Sequence, residues 1–334
     1  MYPIQEQSPQ QNWPGRASGL AFFLVSLYLS ACSINPEVDS TSLTQTSERS
    51  QLDVPFFPQE EYQCGPAALA TLLVASGVET TPDLLTPQIY LPERQGSLQP
   101  ELLAASRRAG RVPYVIENDL RPVFAQLESG RPVLLLQNLR TQHFPVWHYA
   151  VLTGYEPASR TVFMNTGTRQ NEAMDIRKFA RLWDWAGNWA LVVLKPGEIP
   201  PLAKPETYFA AVANFEPVAG MEPAAAAWRS AIEHWPDQPQ PYLALGNQAY
   251  ARGELADAAR WYRDGLEVDA QNPGLANNFA AVLGELGCPR NGENLLQPLA
   301  AELPAASAWK EIIATTLSEL ATVPQDSNAN CAVN

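Results

Sequence analysis

The sequence predicts an α+β domain, a central helix against an antiparallel sheet, followed by an all-α repeat domain. Three observations predict it. A helix-length run from Cys64 to about Ala75 is apolar on nearly every side, as a helix buried all round must be. After it come runs of strand length rich in Val, Leu and aromatic residues: Pro132–Gln137, His148–Leu152, Thr161–Met164 and Trp189–Leu194. Beyond Lys195 the chain becomes alanine-rich, and a pattern of small and bulky positions returns with a period of 34 residues.

At the N-terminus, Gly19 to Leu29 is nearly all apolar. It falls short of the about 20 residues a membrane-spanning helix needs and suits the core of a signal peptide. Arg16 is the only basic residue before it. The run ends in Leu29-Ser30-Ala31-Cys32. Small residues before a cysteine let a signal peptidase reach an extended backbone, and the thiol can take a diacylglycerol. This string resembles a bacterial lipobox. The resemblance implies that Leu29 fills the apolar position, Ser30 and Ala31 the small ones, and that Cys32 is the lipid acceptor and new N-terminus. Two or three acyl chains, palmitate among them, anchor stably where one is marginal. The implied location is the bacterial cell envelope. Ser33, where an Asp would signal inner-membrane retention, favours the outer membrane facing the periplasm. Residues 1–31 are thus expected to be the signal peptide, and residues 32–51, rich in Ser, Thr, Gln and Glu, a polar tether.

Roughly 300 residues follow Cys32, enough for two domains. The net charge of −13 argues against a nucleic-acid partner. It gives no attraction to anionic lipid either, so contact with a bilayer must come from acylation of Cys32. The four cysteines are Cys32, Cys64, Cys288 and Cys331. In an exported protein Cys288 and Cys331 can pair, which leaves Cys64 alone. No cysteine or histidine spacing suits a metal, and no cofactor is expected.

The first domain is expected over 52–196. Pro66 sits in the first turn of its opening helix, where a missing N–H costs nothing, and Gly77 ends it. Helical character returns over Pro100–Ala109 and Leu120–Glu128, before the strands. The Pro-rich stretch Lys195 to Pro201 ends the domain, and 197–204 reads as a linker. In the second domain, 205–318, the unit Tyr242, Leu245-Gly246, Ala258, Tyr262 resembles a tetratricopeptide repeat. One period earlier lie Ala224 and Trp228, with Pro236 at the usual terminating proline; one period later lie Phe279-Ala280 and Leu296, where the pattern degrades near Gly292. Such units must stack to bury their faces, and the resemblance implies a concave surface for a peptide or partner protein. Residues 319–334 read as a tail.

The chemistry centres on Cys64-Gly65-Pro66 at the start of the buried helix. A helix N-terminus favours a thiolate, and Gly65 leaves room for substrate backbone. Of three histidines, His234 lies in the repeat region and His143 in a polar loop, whereas His148 opens a strand that can hold it rigidly. Trp147 beside it is placed to shield the pair from water or to line a groove. A base needs an orienting group. Asn165, at the end of the next strand, is the first choice, and Asp175 its rival. Gln59, just upstream of the cysteine, offers an amide donor for an oxyanion.

Together these residues resemble the papain-fold leader peptidases that cut after double glycine, and their broad C39-like relatives. The match runs from about Val54 to Leu194. Gln59 stands before the pair Cys64-Gly65, and His148 opens a hydrophobic strand ending in Gly154-Tyr155, as in that family. The family's third member, commonly an Asp before Pro, is replaced by Met164-Asn165-Thr166-Gly167. The layout resembles lipoproteins in which such a domain precedes tetratricopeptide repeats. The expected activity is that of a membrane-anchored thiol peptidase acting on a peptide or protein through Cys64, His148 and Asn165. The alternatives are an acyltransferase or amidase using the same thioester, and a non-enzymatic adaptor acting through its repeats.

Overall fold

The computed structural model describes residues 50–59, 63–326 and 331. The expected signal peptide, the lipid acceptor Cys32 and all but the end of the tether lie outside the described residues.

The apolar run after Cys64 is helix α1 (Cys64–Ala75), buried from Gly65 to Leu73. Two helices pack beside it, α2 (Pro82–Ile89) and α3 (Gln99–Arg108). The strands are β1 (Ser50–Gln51), β2 (Val112–Glu117), β3 (Val133–Asn138), β4 (Trp147–Glu156), β5 (Thr161–Thr166), β6 (Arg169–Asp175) and β7 (Trp189–Leu194). All pair antiparallel, in the order β2-β7-β3-β4-β5-β6, and β1 adds to β4. Helices α4 (Leu120–Glu128) and α5 (Ile176–Asp184) complete this part.

Period-two alternation divides the sheet into two buried faces. Leu134, Leu136, Tyr149, Val151 and Leu191 meet Leu69, Leu72 and Leu73 of α1. Leu135, Ala150, Leu152 and Val192 face the other way, against Phe124 of α4 and Phe179 and Trp183 of α5. A sheet covered on both faces reads as continuous hydrophobic runs, which is why β3 and β7 are legible. The remaining strands are less so. β2 contains Pro113, which an edge strand tolerates because its N–H side is not needed by a neighbour. β6 is polar and mostly exposed, an edge that hides no apolar face.

The end of the expected tether is not loose. Ser50 and Gln51 pair with Tyr155 and Gly154 of β4. Gly154 permits this, since a Cβ there would stand 2.3 Å from the Ser50 carbonyl oxygen. The expected linker is docked too. Gln126 donates to the Pro201 carbonyl at 3.1 Å, and the Lys204 N–H donates to the Tyr114 hydroxyl at 2.9 Å.

Seven helices follow: α6 (Pro205–Ala219), α7 (Met221–His234), α8 (Gln240–Ala251), α9 (Leu255–Val268), α10 (Pro273–Glu285), α11 (Pro289–Glu302) and α12 (Ala308–Leu320). They form three successive helix pairs and a closing helix. Gly246 of α8 lies against the Tyr262 ring of α9, where a Cβ would clash at 2.3 Å. Gly292 likewise brings α11 onto α10, where a Cβ would stand 2.8 Å from the Ala280 carbonyl oxygen, so the residue that breaks the repeat pattern is itself a packing contact. The core does not stop between the two parts. Tyr208, Phe215 and Trp228 of α6 and α7 belong to the same buried cluster as Phe124 and Phe179. α12 runs past residue 318 to Leu320, and the tail returns to a disulfide between Cys331 and Cys288, Cα atoms 5.6 Å apart.

Candidate active site

Cys64 is the first residue of α1 and the free cysteine among the described residues. The helix start abuts β4 beside His148. Burial pushes the Cys64 thiol up, and the backbone N–H groups of Tyr149, Gly65 and Cys64 itself pull the other way. Burial wins, so the resting sulfur is a thiol. The thiolate expected from the helix start alone is not the ground state.

His148, second in β4, is half-buried. Its Nε2 lies 2.8 Å from Thr166 Oγ1. Burial, and then the Arg169 charge, pull its pKa from 6.5 down to about 4. The imidazole is therefore neutral at physiological pH and able to take a proton. With Nε2 engaged by Thr166, Nδ1 is the ring nitrogen without a hydrogen bond among the described residues. Among the described residues no hydrogen bond joins Cys64 to His148. The sulfur instead rests on the Tyr149 N–H, one residue along the strand. Free enzymes often hold catalytic hydrogen bonds that tighten only with substrate.

Asn165 and Asp175 do not meet the imidazole. Asn165 pairs with Val151, which places it on the α1 face. His148 is three residues from Val151, an odd step, and so projects from the opposite face, while the Cys64 sulfur, resting on the Tyr149 backbone N–H, lies at the level of the strand between the two faces. Thr166, one residue beyond Asn165, alternates onto the face that His148 uses. Asn165 accepts instead from the Asn171 N–H at 3.0 Å. Asp175 caps α5, accepting from the Arg177 and Lys178 N–H groups at 2.9 and 3.2 Å.

Gln59 is tied to the turn that follows Thr166. Its N–H donates to the Gly167 carbonyl at 3.0 Å, and its Oε1 accepts from the Gly167 N–H at 3.2 Å. The glutamine, the turn, Thr166 and His148 thus form one connected set, with the amide Nε2 remaining as a donor. Gly65 does not face open space for substrate. A Cβ there would stand 2.4 Å from Ser97 Oγ. Trp147 is 56% exposed, so it stands on the rim and does not seal the pair. His143 is exposed, and His234 packs its ring on Trp235 at 4.6 Å.

Sequence reasoning missed Thr166, Arg169 and Gln137. Gln137 stands directly across from His148, 1% exposed, with its Nε2 unpartnered. The signal for Thr166 was strand parity, which needs the β4–β5 register.

Residues 51–191 match the Peptidase_C39 like family. Over those residues the chain resembles a C39-like cysteine peptidase, and its fold is α+β with a helical region behind it. Among solved structures it is similar to a double glycine motif protease from an AMS/PCAT transporter in complex with its leader peptide. That likeness is 19% identical with a TM-score of 0.35, over 43% of this chain and 93% of that one. It is similar to the peptidase domain of Streptococcus ComA, a bi-functional ABC transporter involved in quorum sensing, at 18% identity and a TM-score of 0.35, over 43% of this chain and 98% of that one. A C39-like peptidase candidate of Bacillus anthracis matches at 18% identity and a TM-score of 0.37, over 44% and 98%. Among the curated proteins none matches.

Proposed function

We propose that the chain is an envelope-anchored thiol peptidase that works through Cys64, His148 and Thr166. The observation that carries this is the His148 ring fixed by Thr166 at the start of β4, where the sulfur rests on the Tyr149 N–H. Nδ1 of the neutral imidazole removes the thiol proton as sulfur attacks the peptide carbonyl, and returns it to the leaving amine. Water, deprotonated by the same nitrogen, then splits the thioester to the free acid and restores the thiol. The Cys64 N–H and Gln59 Nε2 are the donors for the oxyanion. Thr166 orients the ring but brings no charge to offset the imidazolium, a weaker arrangement than a carboxylate.

Acylation of Cys32 anchors the chain to the outer membrane, facing the periplasm. The helix pairs from Pro205 onward act as tetratricopeptide repeats that hold a protein partner. The cleft of roughly 230 Å³ lined by Asn247, Tyr250, Tyr262 and Asn278 supports that use.

The test is to incubate a mixed peptide library with the full chain and with Cys64→Ala, and to read new termini by mass spectrometry. New termini from the wild type alone are expected. Identical termini from both contradict the reading. Added amines separate hydrolysis from transfer: products should remain free acids. Loss of radiolabelled palmitate in Cys32→Ala checks the anchor.

A further inference from the structure

The first turn of α3 lies against the start of α1, close to the nucleophile. The Ser97 side chain occupies the space a Cβ on Gly65 would need, and Leu102 Cδ2 comes within 3.8 Å of the same point. Glu101 sits between them in sequence. Tyr149, whose N–H meets the Cys64 sulfur, is packed into the same cluster as Leu102 and Cys64. Burial raises the Tyr149 phenol, and the nearby Cys64 and Glu101 raise it further.

Two acceptors here lack any donor. Glu101 Oε2 and Ser97 Oγ are both closed off from water and hydrogen-bonded to nothing among the described residues. Glu101 also makes none of the ion pairs found among the described residues. An inward carboxylate oxygen without a donor is a costly state in a folded protein. Neither residue is buried as a whole, and each keeps part of its surface open to solvent. A group supplying both positive charge and N–H donors satisfies both atoms.

We propose that Glu101 and Ser97 form a specificity subsite beside Cys64 that takes a cationic side chain, lysine or arginine, of the peptide substrate. The proposal rests on the thiol-peptidase reading. Glu101 acts on binding and takes no part in bond breaking. It is carried by α3 and shares no hydrogen bond with His148 or Thr166 among the described residues, so it governs which peptide is held and not how the proton moves.

The experiment uses peptidyl acyloxymethyl ketones that alkylate Cys64. Lysine, arginine, norleucine or glutamate is placed in turn at each of the three residues on the acyl side. At one position the full chain should be labelled at least about tenfold faster by the lysine and arginine probes than by norleucine, and slowest by glutamate. Glu101→Gln should bring the cationic rates down to the norleucine rate and leave that rate unchanged. Ser97→Ala should give a smaller loss in the same direction. Equal rates for lysine and norleucine at all three positions, with Cys64 labelled, overturn the subsite and leave the peptidase standing. Cys64 left unlabelled by every probe overturns the peptidase reading and the subsite with it.

Discussion

The neutral state of the His148–Cys64 pair follows from burial first and, for the imidazole, from the Arg169 charge second. A threonine hydroxyl holds the ring without charge, and the arginine discourages its protonation. Catalysis therefore needs only that the imidazole be neutral, which holds down to about pH 4. Thr166→Val should lower kcat/KM about tenfold or more by freeing the ring. Thr166→Asp should move the acid limb of the rate profile upward, because a carboxylate favours the imidazolium. A pH–rate profile of the three proteins checks both. The same shift bears on stability. Because the folded pKa lies below the ordinary 6.5, the unfolded chain takes a proton that the folded chain refuses between pH 6.5 and about 4. The contribution is whole above 6.5 and is lost as pH falls to about 4, on the order of 3 kcal/mol. His148→Gln should flatten that part of the stability curve in denaturant titrations. At this scale the residue types were readable in the sequence, and the contact between Thr166 and the His148 ring was not. Cys64 and His148 stood out as candidates because few cysteines and histidines occur. Asn165 was preferred to Asp175, and Thr166 was not weighed, because strand order was readable and strand face was not.

Among the elements, α1 and the strands it covers were legible because burial on all sides leaves an uninterrupted apolar run. β6, β2 and the pairing of Ser50 with β4 were not, since an edge strand carries polar residues or a proline that imitate a loop. α5 was hidden behind Asp175, which read as a rival catalytic group and proved to be a helix cap. α1 positions the nucleophile, so its packing matters to function. Leu69 is fully buried between α1 and the sheet. Leu69→Ala should cost about 3 kcal/mol, read as a lower denaturation midpoint with unchanged m-value. If α1 is held elsewhere, the loss stays below about 1 kcal/mol.

At the scale of the whole molecule, the linker expected at 197–204 joins two parts that share a core. Tyr208, Phe215 and Trp228 are buried with the aromatic residues of α4 and α5. The composition shift at Lys195 marks a change of secondary structure and not a gap in packing. Calorimetry should therefore show one cooperative transition, displaced as a unit by Phe215→Ala; two separate transitions contradict a shared core. Deleting the helices as a test of function is unsafe for the same reason, because it strips one side of the sheet. The central claim is that His148 activates Cys64, and the most direct measurement is the rate at which a peptidyl chloromethyl ketone alkylates Cys64 in wild type and in His148→Ala across pH 3–9. The account predicts that the wild-type rate holds above about pH 4 and falls below it, and that the variant is slower by roughly a hundredfold near neutrality. Equal rates in the two proteins at neutral pH would contradict it.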